Sequence, residues 1–432
     1  MKADYINFSV IVNGGSGCAF KIHHRDYMYV LTAKHVVENQ QTTVRRQFLD
    51  VNGAPQEEIL KIIDQPYLHI DANKDAAIIK VEVVPEIKSV ARLEKPLEIN
   101  DDLFVAGFPN SRSKQPYAYR KDSLNSKNIK AYEYVECQLK TPSTYGEIVG
   151  LSGGGIYYST NGENYLVGIQ SKMSAEDDDE LLNNIDIMPL KFFDEIIKES
   201  KVLEPLIPEY LQCFSTLKSY ALKLEGCFGS HQMEFTKQLL QEVTDEVVSN
   251  NLTPTIIRNF FESKLLVFEQ ADSVLGTRGL WIAWLEFLII FKFIKDEQID
   301  DKNIESLFNE VRLIYSDTNG DWTDEFPKLF RSNFYGLPQD AKVIVATQTR
   351  PEKVIISNNV IPNIIQANPL TKGQMQIDIG LTHPLVNFKL MHLHAFQRLG
   401  IIEKEQEYYG FSAINENDLL DKLKTEFNAL FS

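Results

Sequence analysis

The stretch Gly150-Leu151-Ser152-Gly153-Gly154-Gly155 decides how the first half of this chain is understood. Glycines on both sides of one serine let the backbone turn sharply and adopt φ angles that are closed to other residues. Two backbone N–H groups can then point into one small space beside an exposed hydroxyl, which is the arrangement that acyl transfer needs. On this stretch alone, a tight β-turn without chemistry remains the alternative.

Two upstream stretches contain the partners that a nucleophilic serine requires. Tyr29–Val37 is an apolar strand that ends at a small Thr-Ala pair just before His35. Asp75 stands at the start of another apolar run, Ala76–Val81. A histidine accepts the proton of the serine, and an aspartate orients the imidazole. The sequence therefore predicts His35, Asp75 and Ser152 as the catalytic residues.

The motifs Thr-Ala-x-His-Val, Asp-x-Ala-Ile-Ile and Gly-x-Ser-Gly-Gly occur in the chain order His, Asp, Ser. In this order and spacing the chain resembles the chymotrypsin-like serine proteases, most closely the intracellular high-temperature-requirement type, over roughly residues 5–200. The resemblance implies a double β-barrel, a peptide or protein substrate, and an oxyanion hole formed by the N–H groups of Gly150 and Ser152. Asp75 is preferred to Asp71 because it directly abuts a strand. A degenerate, inactive barrel remains the alternative.

The same resemblance assigns residues to substrate binding. Gly146 is expected near the floor of the primary specificity pocket, where the absence of an acidic side chain argues against a preference for Arg or Lys. Asp177–Glu180 on the next loop offers an acidic alternative, although a short charge run is more often a solvated loop. Gly168, Ile169 and Gln170 are expected to form the strand with which a peptide substrate pairs by β-augmentation.

Two positions depart from the family pattern. Leu151 stands where zymogen-type relatives carry an aspartate that pairs with a newly cut amino terminus. Because leucine cannot form that ion pair, activation by processing is excluded. Gly155 replaces the proline that is common after Ser-Gly-Gly, which loosens the turn.

Composition limits the class of protein further. The 432 residues suggest two or three domains, and the net charge of −16 with a pI near 5.1 argues against a nucleic-acid-binding surface. Met1–Tyr5 contains no apolar signal segment, and Leu280–Ile294 is too short and too charged to span a membrane. The four scattered cysteines favour a reducing, cytoplasmic location. No cofactor and no metal ion are predicted.

Residues 1–200 are predicted to form one all-β protease domain that ends in a helix, Pro189–Ser200. Apolar or alternating runs separated by turn residues suit a small antiparallel barrel. The predicted strands of its first half are Ile6–Val12, Cys18–Ile22, Tyr27–Thr32, Val44–Leu49, Ile59–Ile63 and Ala76–Val83.

Residues 201–208 contain two prolines and are predicted as a linker to a mainly helical α+β domain, residues 209–432. Thr253 is expected to cap a helix that begins at Pro254. The domain faintly resembles the C-terminal domains attached to varied effectors in prokaryotic conflict systems, which implies a sensor, partner or oligomerisation module. Its further predicted elements are a buried helix at Leu280–Ile294, strands within Lys342–Ile356 and Met375–Ile379, and helices at Pro384–Leu399 and Glu416–Leu430.

Three histidines of this second half suggest a metal site at first sight. His383, His392 and His394 lie close in sequence, but on one helix His392 and His394 point to different faces and no cysteine joins them. They are interpreted as ordinary helix histidines.

The function predicted from these observations is an intracellular serine endopeptidase gated by its C-terminal domain, which binds a protein or ligand regulator. The C-terminal resemblance adds the hypothesis of a protease effector in a prokaryotic defence system. The alternative is a non-catalytic peptide-binding module whose C-terminal domain mediates complex assembly.

Overall fold

The computed structural model describes residues 5–22, 25–87, 90–93, 101–112, 118–141, 143, 145–160, 163–173, 183–268, 272–356 and 388–432. The chain divides into two compact units, Met1–Glu209 and Tyr210–Ser432. The first unit is all-β apart from short helices, and the second is mainly helical around a small sheet. The predicted fold class is therefore confirmed.

The N-terminal unit begins with a seven-stranded antiparallel sheet. Its strands are β1 (Ser9–Val12), β2 (Gly15–Lys21), β3 (Tyr27–Ala33), β4 (Val44–Leu49), β5 (Pro55–Leu60), β6 (Tyr67–Leu68) and β7 (Ala76–Glu82). Their spatial order is β5-β4-β1-β2-β3-β7-β6. The central strands are buried almost throughout and form the core of this unit.

A second seven-stranded sheet follows. Its strands are β8 (Ala91–Arg92), β9 (Asp102–Gly107), β10 (Arg120–Ile129), β11 (Val135–Leu139), β12 (Gly155–Thr160), β13 (Glu163–Met173) and β14 (Asn184–Pro189). The order is β12-β9-β10-β11-β14-β13-β8, and β12 also pairs with β13. This additional pairing closes β9 to β14 into a six-stranded barrel.

Among its described residues the N-terminal unit has three α-helices: α1 (Lys34–Val37), α2 (Tyr145–Ile148) and α3 (Lys191–Ser200). One-turn 3₁₀ segments occur at Tyr5–Phe8, Asn110–Arg112 and Ala131–Glu133. In α3 the apolar side chains recur on one face, so the helix packs them against the core of the first sheet. These side chains are Phe192, Phe193, Ile196 and Ile197.

The strand predictions hold where apolar residues mark a strand and fail where they do not. Val44–Leu49 is confirmed, whereas the predicted strand Ile6–Val12 is wrong at its start because Tyr5–Phe8 is a 3₁₀ turn. The strand predicted at Ile59–Ile63 is Pro55–Leu60, whose residues are nearly all exposed. Pairing with β4 places this strand, so its own sequence carries little apolar signal.

The C-terminal unit contains a three-stranded parallel sheet in the order β15 (Val311–Ser316), β16 (Lys342–Thr347) and β17 (Lys389–His392). Helices surround it: α4 (Glu209–Gln212), α5 (Glu234–Val248), α6 (Pro254–Phe261), α7 (Asp272–Leu275), α8 (Arg278–Lys295), α9 (Ile304–Glu310), α10 (Phe326–Leu329), α11 (His394–Gly400) and α12 (Glu416–Phe431). Twelve of the 18 residues of α8 are buried, as expected for a helix that is apolar all round. No described helix combines the length and the apolar character needed to cross a bilayer.

Helix capping was predictable here, but the last strand was not. Thr253 Oγ1 accepts a hydrogen bond from the Ile256 N–H at 3.3 Å and Pro254 opens α6, which confirms that prediction. The predicted helix Pro384–Leu399 is wrong over Lys389–His392, which is a strand. A short apolar run buried in a parallel sheet has no periodicity that separates it from a helix. Met375–Ile379 and His383 lie outside the described residues.

Candidate active site

His35 and Asp75 are brought together by two paired strands. β3 and β7 are antiparallel neighbours with Ala33 opposite Ala76, so the residues that flank them meet at one end of the sheet. Asp75 Oδ2 lies 2.7 Å from His35 Nδ1, and Asp75 Oδ1 accepts the His35 backbone N–H at 2.9 Å. A carboxylate only accepts hydrogen bonds, so Nδ1 carries the proton and Nε2 is left as the basic nitrogen.

Asp75 is held by two further groups. Ser171 Oγ donates to Asp75 Oδ2 at 2.6 Å. The Tyr134 hydroxyl accepts the Asp75 N–H at 2.9 Å and donates to the Asn73 carbonyl at 3.1 Å. Burial raises the pKa of the Asp75 carboxyl, but hydrogen bonds from His35 and Ser171 outweigh it and hold the pKa below its ordinary value. The carboxylate therefore stays ionised beside the imidazole.

The side chain of Asp71, the competing aspartate, forms its hydrogen bonds within its own turn. Its Oδ1 accepts the backbone N–H of Asn73 at 2.9 Å and the Asn73 side-chain amide at 3.0 Å. These local bonds are typical of an Asx turn. Among the described contacts none joins Asp71 to His35, and Asp75 occupies that place.

The glycine-rich turn adopts the backbone angles expected of it. Gly150 has φ +96° and Gly153 has φ +90°, both in the left-handed region that favours glycine. A Cβ on Gly153 would lie 1.9 Å from the carbonyl oxygen of Ser16. A residue with a Cβ does not fit there, so glycine at position 153 allows the turn to lie directly against β2.

The backbone beside Ser152 offers two N–H donors. The Val149 carbonyl accepts the Asn110 N–H at 2.7 Å. Because the Val149–Gly150 peptide bond is trans, the Gly150 N–H points in the direction opposite to that carbonyl. Within the described part of the chain, neither the Gly150 N–H nor the Ser152 N–H has an acceptor. These are the two groups that the sequence assigns to an oxyanion hole.

A cleft of about 520 Å³ contains these groups. Its wall includes His35, Gly150, Ser152, Gln170 and Lys172. The structure thus brings the predicted serine, histidine and both backbone donors to one cavity, with the aspartate behind the histidine.

Gly146 does not line that cleft. It lies on α2 and is exposed, and a Cβ added to it would meet nothing within 4 Å. The cleft wall is formed instead by the residues that follow it, Ile148 and Val149. The alternative acidic loop, Asp177–Glu180, lies outside the described residues.

The predicted substrate strand also needs a correction. Gly168 and Ile169 are each paired with β12 on one side and with β14 on the other, so neither has a free backbone edge. The Gln170 backbone is committed as well, since its N–H donates to Gly154 and its carbonyl accepts from Gly153, both at 2.8 Å. The described pairing of β12 with β13 does not extend beyond Gln170. The edge of β13 that faces β12 is therefore open at residues 171–173.

The C-terminal unit has a cavity of its own, of about 150 Å³, at the carboxyl ends of β16 and β17. Glu286, Thr347, His392 and His394 lie in its wall. Burial raises the pKa of Glu286, and it lowers the pKa of His392 to about 3 and that of His394 to about 4. His392 Nε2 lies 2.9 Å from Thr347 Oγ1. The two histidines do not share a helix as predicted, because His392 ends β17 and His394 begins α11.

Comparison with known families fits this geometry. Residues 187–402, half of the chain, match the family model described as C-terminal domain 4 of the ABC-three component (ABC-3C) systems. The chain belongs to this ABC-3C family. Residues 4–185 match the Trypsin family model, so the N-terminal domain is a trypsin-like serine protease domain and the chain is a serine endopeptidase. Both predicted resemblances are confirmed.

Solved structures that match part of this ABC-3C protein include a peptidase and a protease. Kallikrein-related peptidase 10 has a TM-score of 0.35 at 15% identity, over 46% of this chain and 100% of that one. An inactive form of Rv3671c from M. tuberculosis has a TM-score of 0.33 at 14% identity, over 46% of this chain and 90% of that one. No curated protein matches the sequence significantly.

The ABC-3C match begins inside the N-terminal unit. It starts at residue 187, whereas the structural division falls between Glu209 and Tyr210. The difference is α3, whose apolar face packs on the core of the protease domain. In this chain α3 thus belongs structurally to the protease domain.

Proposed function

We propose that this protein hydrolyses a peptide bond of a protein substrate with His35, Asp75 and Ser152. The observation that carries the proposal is the ionised Asp75 holding the Nδ1 proton of His35 in the cleft that Ser152 shares. The trypsin-like domain accounts for a protein substrate, and the ABC-3C domain for interaction with another component of such a system.

The reaction begins with the attack of Ser152 Oγ on the scissile carbonyl carbon. His35 Nε2 takes the hydroxyl proton, and the carbonyl oxygen becomes an oxyanion that accepts hydrogen bonds from the N–H groups of Gly150 and Ser152. His35 then gives this proton to the leaving amine as the C–N bond breaks. A water molecule then attacks the carbonyl carbon of the acyl-enzyme, and His35 takes its proton. His35 gives this proton to Ser152 Oγ as the ester bond breaks, which releases the acid.

The substrate backbone pairs with the open edge at residues 171–173. Main-chain hydrogen bonds to such an edge hold an extended peptide without demanding a particular sequence. Ser171 belongs both to this edge and to the support of Asp75, so the bound peptide lies directly beside the residues that cleave it.

Control by the C-terminal domain is part of the proposal. Leu151 is apolar and 1% exposed, so an ion pair with a cut amino terminus is not available as a switch. The partner is another component of an ABC-3C system, and it acts by favouring a cleavage-competent arrangement of the loop that ends at Gly150. A cytoplasmic location and a role in defence are predictions that accompany this proposal.

A fluorophosphonate probe on the full chain tests the catalytic proposal. Ser152→Ala is expected to abolish labelling and to reduce peptide hydrolysis on the order of 10³-fold or more, because the nucleophile is gone. Labelling that persists on the alanine variant would assign the nucleophile elsewhere. An unlabelled wild type, with and without system components, would favour the non-catalytic peptide-binding module.

A further inference from the structure

The oxyanion hole of this protein needs an anchor other than the one used in zymogen-type proteases. With Leu151 in place of an aspartate, no ion pair holds the turn between the two donors. Gly150, at φ +96°, lacks the side chain that would restrict rotation of its neighbouring peptides. Something else must keep the Gly150 and Ser152 N–H groups aimed at one point.

Three consecutive peptide units determine the direction of these donors. The first, Val149–Gly150, is held through the Val149 carbonyl by the Asn110 N–H at 2.7 Å. The third, Leu151–Ser152, is held through the Leu151 carbonyl by the Gly154 N–H at 2.7 Å. The middle unit, Gly150–Leu151, joins the two donors, so its rotation changes their angle to each other.

The middle unit is held at both ends: its Leu151 N–H donates to the Ile148 carbonyl at 2.9 Å, and Ser16 on β2 holds its carbonyl. The Ser16 hydroxyl donates to the Gly150 carbonyl at 2.7 Å and accepts the Phe108 N–H at 2.8 Å. The Ser16 backbone N–H donates to the Ser152 carbonyl at 2.7 Å. One residue therefore draws two carbonyls of the turn toward β2.

Ser16 is itself fixed in place. Its exposure is 0%, and its own carbonyl accepts a hydrogen bond from Thr32 Oγ1 at 2.7 Å. Thr32 is on β3, only three residues before His35, so one rigid strand pair supports both the base and the turn that carries the nucleophile. A buried hydroxyl with a donor on one side and an acceptor on the other has a single favourable orientation.

We infer that Ser16 is a positioning residue that holds the oxyanion hole in its reactive geometry. It replaces the amino-terminal ion pair by a neutral, permanently available hydrogen bond to the Gly150 carbonyl. The inference rests on the proposed protease function, because the two N–H groups matter only if an oxyanion forms there.

The test is Ser16→Ala in the full chain, which removes the hydroxyl and leaves the backbone bond to Ser152. Removing an oxyanion-hole donor outright costs about 10²–10³ in kcat; here both donors remain but lose their alignment, so we expect a fall of roughly 10- to 100-fold. KM should stay unchanged because the ground-state carbonyl does not use the hole fully. The affinity for a peptide boronic acid, whose tetrahedral adduct places an oxygen in the hole, should fall by a similar factor.

Ser126→Ala is the matched control. Ser126 is 2% exposed and lies on β10, where its hydroxyl accepts the Asp101 N–H at 2.9 Å; none of its described contacts is with the triad or the glycine-rich turn. The Ser126→Ala variant loses one buried hydroxyl, as Ser16→Ala does, so the thermal stability of the two variants should fall by comparable amounts. In Ser126→Ala, however, kcat and the affinity for the boronic acid should stay at the wild-type level. If Ser16→Ala does not fold, Ser16→Cys, a weaker donor, is measured in the same way.

The outcomes separate the two proposals. A wild type that neither reacts with fluorophosphonate nor cleaves peptides overturns the protease proposal. An active wild type whose kcat and boronate affinity are unchanged by either Ser16 substitution overturns the role of Ser16 alone. Equal losses of kcat in Ser16→Ala and Ser126→Ala would likewise show a general effect of instability and overturn it.

Discussion

Two polar clusters in this molecule, one partly buried and one buried, respond to the loss of solvent in opposite ways. In the protease domain, Asp75 keeps its charge, and its pKa lies below the ordinary value despite burial. In the C-terminal domain the neutral forms prevail. The pKa of Glu286 is raised, and the pKa of His392 is lowered to about 3.

The difference follows from the number and kind of hydrogen-bond donors. Asp75 receives the backbone and ring N–H groups of His35 and the hydroxyl of Ser171. Glu286 accepts one backbone N–H, from Leu222 at 2.9 Å, and one side-chain hydrogen bond from Gln397, which together do not outweigh its burial. His392 faces a threonine hydroxyl and another histidine rather than a carboxylate. A buried carboxylate keeps its charge only where surrounding donors replace its lost hydration, and the role proposed for Asp75 requires that charge at neutral pH.

Neutralising Asp75 gives the largest expected effect within this comparison. Asp75→Asn should reduce kcat roughly 10³–10⁴-fold, because the amide NH2 can donate to His35 Nδ1 and so stabilise the wrong imidazole tautomer, with the proton on Nε2. Asp71→Asn, on the same loop, is the control and should change little. Peptide hydrolysis by both variants checks this ranking, and the reverse order would refute the assignment of Asp75.

Acid should destabilise the C-terminal domain first. Unfolded histidine binds a proton near its ordinary pKa of about 6.5, whereas folded His392 does so only near 3. Between these values the unfolded state binds more protons, so the stability of this domain falls as pH falls, by about 1.4 kcal/mol per pH unit for this residue. Its neighbour His394, beside Arg350 and Arg398, acts in the same direction.

For Asp75 the sign is the same, but the pH window lies lower. Its lowered pKa contributes stability that is present above the ordinary aspartate pKa of about 3.9 and is lost only as pH falls below it. The protease domain should therefore keep this contribution at a pH where the other domain has already lost stability.

Tryptophan fluorescence reads the C-terminal domain selectively. All three tryptophans of the chain, Trp281, Trp284 and Trp322, belong to it and are buried. When unfolding by denaturant is followed by this signal, the midpoint denaturant concentration should fall steadily as the pH is lowered below about 6.5. In His392→Asn, which can still accept the His394 N–H, the decline should be shallower. An unchanged slope would contradict the assignment of His392 as a buried neutral base.

The smallest expected effect is at Glu286. Because its neutral form is already favoured, Glu286→Gln keeps the acceptor for the Leu222 N–H and should change the free energy of unfolding by less than about 1 kcal/mol. Tryptophan fluorescence in denaturant measures it. A loss of about 3 kcal/mol or more would mean that Glu286 is held as a paired charge, like Asp75, and would remove the contrast between the clusters.

Much of the protease half was readable from the sequence because its signals are local. The residues around His35, Asp75 and Ser152 form short motifs at strand ends. Glycine at positions 150 and 153 predicts the positive φ angles found there. Apolar runs such as Val44–Leu49 locate strands directly. The buried helix α8 and the cap at Thr253 are local signals of the same kind.

Other features depend on pairing between distant segments, which no local pattern encodes. Ser16 reaches the Gly150 carbonyl, 134 residues away, and Ser171 reaches Asp75 across 96 residues. Tyr134 joins the Asp75 backbone from the opposite sheet. In the sequence alone, Ser16 is an ordinary serine in a glycine-rich turn, Ser171 is a serine at the end of a strand, and Tyr134 resembles a surface tyrosine.

The sequence by itself determined the residue types of the active site and the nature of both domains, because those depend on motif, spacing and apolar periodicity. The tertiary structure alone decided that Lys389–His392 is a strand, that an edge of β13 is open at residues 171–173, and that Ser16 Oγ bonds to the Gly150 carbonyl. Each of these depends on which backbone groups are already paired by neighbours. Hydrogen-bond partners are assigned only when strands far apart in sequence come together.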